Sequence, residues 1–119
     1  MHIEVATESR AEQIVRVAQL SMTSDREGDV HTLGLAGEID LANAEDVEGE
    51  LHRIEQTDAA VILVDLAGVS FIDSSGIKVL IGAAARSHSA NRLLLDSPSP
   101  AVLRVLRIAG VADLLPLVG

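Results

Sequence analysis

Between Val61 and Lys78 the residues VILVDLAGVSFIDSSGIK pass from a continuous apolar run to a helical spacing, and few architectures accept such a junction. Val61 to Asp65 reads as a buried strand, of the kind found where other elements cover both faces of a sheet. After a short turn, Ile77, Leu80, Ile81, Ala84 and Ala85 set one apolar face on a helix that runs to about Ser87. The junction itself is Asp73-Ser74-Ser75-Gly76. A hydroxyl in the first turn of a helix can satisfy backbone N–H groups that have no partner there, and the same groups with the helix dipole favour a phosphate. On this chemistry alone, Ser74 or Ser75 is expected to be a helix cap.

The remaining segments fit around that junction. Ser9-Arg10-Ala11-Glu12 has the form of a capping box, and Ile14, Val17 and Ala18 follow at helical spacing. Residues 1–19 are therefore expected to be an N-terminal extension, a short helix or a tail, ahead of a domain over residues 20–119. Leu20 to Ser24 and Val30 to Ala36 alternate on either side of the turn-forming Asp25-Arg26-Glu27-Gly28-Asp29, which predicts an antiparallel hairpin. Asn43 stands at a helix cap position, and Ala44, Val47, Leu51 and Ile54 share one face of a helix ending near Gln56. Glu48 and Glu55 make its other face acidic, and Gly49 weakens its interior. Leu93 to Leu95 predicts a short buried strand. Pro100 then opens a last helix with Val102, Leu103 and Leu106 inward and Arg104 and Arg107 outward, and Gly110 closes it. Leu114 to Val118 adds an edge strand that Pro116 keeps short. The order β-β-α-β-α-β-α-β predicts one α/β domain, with a mixed, mostly parallel sheet, an N-terminal β-hairpin and three main helices.

Ligands of such sheets bind beyond the carboxyl ends of the strands, where Asp40, the stretch from Asp65 to Asp73, and Ser97 are expected to gather. The chemistry available there is narrow. The chain lacks G-x-S-x-G, G-x-G-x-x-G and the phosphate-loop lysine pattern, so neither hydrolase nor nucleotide-binding readings have a motif to stand on. The histidines His2, His31, His52 and His88 have no ligand spacing and read as surface or edge residues, so no metal and no cofactor are called for. A net charge of −9 argues against nucleic acid and against an anionic membrane surface. With no cysteine, no apolar stretch of spanning length and no signal-peptide pattern, a cytoplasmic location is expected. Asp65, placed at a strand end, has a superficial likeness to the phosphoacceptor of a receiver domain. However, the acidic pair and the lysine after the last strand that receivers use are missing, and Lys78 is the one lysine in the chain.

The run Val69-Ser70-Phe71-Ile72-Asp73-Ser74-Ser75-Gly76-Ile77 resembles the signature of the STAS domain, in particular of bacterial anti-sigma factor antagonists. Leu35-Ala36-Gly37-Glu38-Ile39-Asp40, Ser97-Pro98-Ser99-Pro100-Ala101-Val102 and Ile108-Ala109-Gly110-Val111 agree with the same family in the same order, so the likeness covers roughly Leu20 to Val118. It implies a binding protein of transcription regulation by partner switching, not an enzyme. By that resemblance Ser74 is the phosphoacceptor of an anti-sigma factor with serine kinase activity, and a serine phosphatase reverses the modification. Asp40, Asp73, Ser75, Gly76 and Lys78 are the implied partner contacts. Departures from the family pattern are Lys78 itself and the turn at Ala90-Asn91-Arg92. Two other roles for the chain remain: a STAS scaffold subunit of a stress-signalling or lipid-transport assembly in which the serine only caps a helix, and the receiver-type domain modified on Asp65.

Overall fold

The computed structural model of the chain describes residues 2–5 and 13–119. Its elements are β1 (His2–Val5), β2 (Gln13–Val17), β3 (Leu20–Glu27), β4 (Val30–Ile39), α1 (Ala44–Glu55), β5 (Val61–Ile72), α2 (Ser74–Ser87), β6 (Leu93–Asp96), α3 (Pro100–Ile108), a single 3-10 turn (Ala112–Leu114) and β7 (Leu117–Val118). The strands form one sheet in chain order. Pairing is antiparallel from β1 to β4 and parallel from β4 to β7. The predicted single α/β domain with its hairpin and three helices is thus present, with an antiparallel half larger than the sequence suggested.

The enlargement comes from the N-terminal segment. The short helix or tail expected before Leu20 is replaced, over its described part, by strands β1 and β2, while Ser9 to Glu12 lie outside the described residues. Val15 and Val17, two apart, pack against the core, so here the period of two outweighs the helical spacing of Ile14, Val17 and Ala18. The β-branched residues Ile14, Val15 and Val17 favour the same outcome.

One face of the sheet carries the core. Met22, Leu33, Leu35, Ile62, Val64, Leu93 and Leu95 point to it, and they form a single apolar cluster with Val47, Leu51 and Ile54 of α1, Leu80 of α2, and Val102 and Leu106 of α3. Residues of the other face, among them Thr23, Thr32, Leu63, Asp65 and Leu94, are only half-buried. The expectation that Val61 to Asp65 is covered on both faces is therefore corrected. Strands β4 to β7 are added one after another in the same direction, a singly wound order that lets all three helices lie on one side.

A second correction concerns the length of β5, which continues past Asp65 to Ile72. Its pairing with β4 slips twice, between Gly34 and Ala36 and between Gly37 and Glu38, and each slip inserts an extra residue in β5. The inward positions therefore step from Ile62, Val64 and Leu66 to Val69 and then Ile72. A strand with two bulges loses its regular alternation, which is why Leu66 to Ser70 reads as a turn.

His31 is also unlike its expectation as a surface or edge residue. It is 8% exposed on the helix-covered face, its Nε2 lies 2.6 Å from Ser24 Oγ, and its Nδ1 has no partner among the described residues. Burial, together with the nearby Arg53 and Arg26, lowers its pKa from the ordinary 6.5. His52 and His88 are exposed as expected.

Candidate functional site

Two parallel strands deliver the site. Ile39 and Ile72 are register partners at the ends of β4 and β5, and the Asp73 N–H donates to the Ile39 carbonyl at 3.1 Å. Asp40 and Asp73 consequently leave the sheet side by side at its carboxyl edge. Asp65 and Ser97, which were expected there too, are not. Asp65 is the register partner of Gly34 and of Asp96, well back along β5, and its carboxylate accepts the Ala67 N–H at 2.9 Å within the first bulge. Ser97 follows Asp96 at that same lower level. From the loop after β6, it is Ser99 that approaches the distal part of β5: its hydroxyl donates to the Val69 carbonyl at 2.6 Å and accepts the Val102 N–H as the cap of α3.

The loop after β4 is held by a buried amide. Asn43 sits at the cap position of α1 but makes no side-chain cap bond to that helix. Its Oδ1 accepts the Asp40 N–H at 3.0 Å, and its Nδ2 donates to the carbonyls of Glu38 at 2.9 Å and Val17 at 3.4 Å. With the side chain fully out of water, these bonds fix the position of Asp40 relative to the strand it follows. Asp40 shapes the next step itself, since its Oδ1 accepts the Ala42 N–H at 3.0 Å.

At the start of α2 the cap is neither serine. Asp73 is the capping residue, in extended conformation, and its Oδ1 accepts the N–H groups of Ser75 at 2.8 Å and Gly76 at 3.2 Å. The Ile77 N–H goes to the Asp73 carbonyl at 3.0 Å. A carboxylate accepts more strongly than a hydroxyl and complements the positive end of the helix dipole, so aspartate wins the position. Ser74 is the first helical residue, exposed, and its hydroxyl has no hydrogen-bond partner among the described residues.

The other residues implied as contacts separate into two kinds. Ser75 is half-buried and Lys78, one turn beyond Ser74, is exposed on the outer face of α2. Gly76 is buried: a Cβ there would lie 2.7 Å from side-chain atoms of both Ile39 and Ile72. Its part in the fold is to let the helix start lie close on the two strand ends.

Sequence reasoning passed over two apolar residues at this edge. Leu41, beside Asp40, is 79% exposed, and Phe71, just before Asp73, is 46% exposed. The available signals were a leucine in the short stretch between Asp40 and the cap-position Asn43, outside either apolar pattern, and the lone aromatic side chain of the chain. Among the described residues no group of three His, Cys, Asp or Glu side chains is placed to hold a metal ion, and no helix is long and apolar enough to cross a membrane.

Comparison with known proteins gives this edge a context. Residues 21–118 match the family model described as the STAS domain. The chain is 30% identical over 92 residues to an anti-sigma-B factor antagonist of Listeria monocytogenes, covering 76% of this chain and 81% of that one. Its fold is similar to the crystal structure of an anti-sigma factor antagonist from Mycobacterium paratuberculosis, with a TM-score of 0.74, 20% identity, and coverage of 96% of this chain and 89% of that one. It is also similar to the Bacillus cell fate determinant SpoIIAA in its phosphorylated form, with a TM-score of 0.57, 22% identity and 92% of each chain covered.

Proposed function

We propose that this chain, which belongs to the STAS domain family, is an anti-sigma factor antagonist switched by phosphorylation of Ser74. In this reading the unmodified protein binds an anti-sigma factor that has serine kinase activity and so releases the sigma factor. Phosphate on Ser74 dissociates the pair, and a serine phosphatase restores the first state. The observation that carries the proposal is the division of labour at the start of α2. Asp73 closes the helix, so the exposed Ser74 hydroxyl is available for chemistry without the fold losing its cap.

The electrostatics fit a switch that acts on binding. A phosphoryl group on Ser74 adds about 1.5 to 2 negative charges at neutral pH. The N–H groups of Ser75, Gly76 and Ile77 already have acceptors on Asp73, so the new charge stands against a neighbouring carboxylate and toward solvent. Beside the exposed Leu41 and Phe71 it would turn an apolar contact surface into a hydrated one. The expected change is local, confined to residues 39–44 and 71–78, with the sheet unaltered. Amide spectra of the two forms test this, and shifts spread across β2 and β3 would refute a local switch.

The assignment of the residue is tested by incubation with ATP and the kinase-type anti-sigma factors encoded in the same genome, each purified singly. The label is expected to be acid-stable, absent from Ser74→Ala and intact in Asp65→Asn. Label retained in Ser74→Ala would reject Ser74, and label cleaved by hydroxylamine would point to an aspartyl phosphate instead. Asp65, half-buried in mid-strand between Gly34 and Asp96, lacks the strand-end position that receiver chemistry requires.

A further inference from the structure

The second bulge of β5 leaves Ser70 and Phe71 outside the core between the buried Val69 and Ile72. Phe71 then lines, with Ser70 and with Pro100, Ala101, Arg104 and Val105 of α3, an open groove of about 430 Å³. Phe71 stands three residues before Ser74 in the chain. Arg104 is the one charged residue that lines the groove, in a chain whose net charge is −9. Arg26 pairs with Asp58, Arg53 with Glu50 and Arg86 with Glu55, and Arg92 donates to the carbonyls of Glu55, Thr57 and Ala59. Lys78, Arg104 and Arg107 have no such partner among the described residues, although acids outnumber Lys and Arg by 18 to 9. Among the described residues, the unpaired cations thus belong to the two helices that follow the distal end of β5 and the loop tied to it.

We propose that the Phe71–Arg104 groove is a second part of the contact with the protein that phosphorylates Ser74, and that it receives an acidic segment of that protein bearing an apolar side chain. The inference rests on the reading of Ser74 given above. The apolar side chain packs on the Phe71 ring and Val105, and a carboxylate meets the guanidinium of Arg104, whose planar fork suits that geometry. A second copy of this chain fits less well, because a two-fold contact through the groove would bring Arg104 toward its own symmetry mate. An acidic partner at this point also gives phosphorylation its leverage, since the phosphate on Ser74 then repels the surface that the groove attracts.

The test uses the anti-sigma factor kinase that labels Ser74. Its affinity for the unmodified chain is measured by titration calorimetry, and the kinetics of Ser74 labelling are measured alongside. Arg104→Glu and Phe71→Ala are each expected to weaken binding by about tenfold or more and to raise KM with kcat unchanged. Arg104→Lys should recover part of the loss, and Arg107→Glu, which lies outside the groove lining, should change it far less. Arg104 is exposed, so an unchanged unfolding midpoint for Arg104→Glu separates lost contact from lost fold. Unaltered affinity in Arg104→Glu, with Ser74 still labelled, would overturn the groove and leave the Ser74 reading standing. A concentration-dependent dimer abolished by Arg104→Glu would overturn it in favour of a second copy. If none of the kinases labels Ser74, both readings fall together.

Discussion

The carboxylate of Asp73 accepts the backbone N–H of Ser75 at 2.8 Å. That bond, with its companion to Gly76, makes the helix start depend on the aspartate. Asp73→Ala should cost about 1 kcal/mol in a urea unfolding titration, the usual loss on removing a cap. Ser74→Ala, whose hydroxyl makes no bond among the described residues, should stay within about 0.5 kcal/mol of the parent. Equal losses in the two variants would show that Ser74 shares the capping.

Gly76 has its own consequence for stability. A methyl group at that position would meet Ile39 and Ile72 at 2.7 Å, so Gly76→Ala should destabilise by about 1–3 kcal/mol through overpacking. The strain should also lift the first turn of α2 from the strand ends, with slower labelling of Ser74 as the second readout. A thermal midpoint identical to the parent would mean that the close approach is not required.

Removal of the buried amide should loosen a different loop. Asn43→Ala leaves the Asp40 N–H and the Glu38 carbonyl without their acceptor and donor, at a cost of about 1–3 kcal/mol. The exchange of the Asp40 amide hydrogen should accelerate ahead of global unfolding. Unchanged protection at Asp40 would remove Asn43 as the residue that positions it.

His31 makes stability depend on mild acid. Its folded-state pKa is depressed below 6.5, chiefly by burial and then by Arg53 and Arg26, with Glu50 and Asp25 opposing. Below 6.5 the unfolded chain therefore binds a proton that the folded chain resists, so this contribution is complete above 6.5 and is lost as pH falls toward the folded value. Urea midpoints should drop as pH falls below 6.5, and His31→Gln should flatten that slope. A wild-type midpoint as steady as that of the variant would exclude His31 as the source.

What the sequence determined by itself is whatever depends on residues close in the chain. The faces of the three helices are written in local periodicity: Ala44, Val47, Leu51 and Ile54 in α1, Ile77 and Leu80 in α2, and Val102 and Leu106 in α3 are all buried as their spacing requires. The same holds for the hairpin of β3 and β4, and for the placing of Ser74 where a strand gives way to a helix. What only the tertiary structure decided depends on a neighbour far along the chain. The two slips that lengthen β5 and expose Phe71 exist only against the register of β4, and β2 is a strand because β3 and the core give Val15 and Val17 something to pack on. Asn43 became a staple for Asp40 because Glu38 and Val17 offer it carbonyls, and the bond from the Asp73 N–H to Ile39 ties the residue that caps α2 to the end of β4. Hydrophobic period is a property of a segment, whereas register and hydrogen-bond competition are settled between segments. For that reason the serine was legible in the sequence and its release from capping was not.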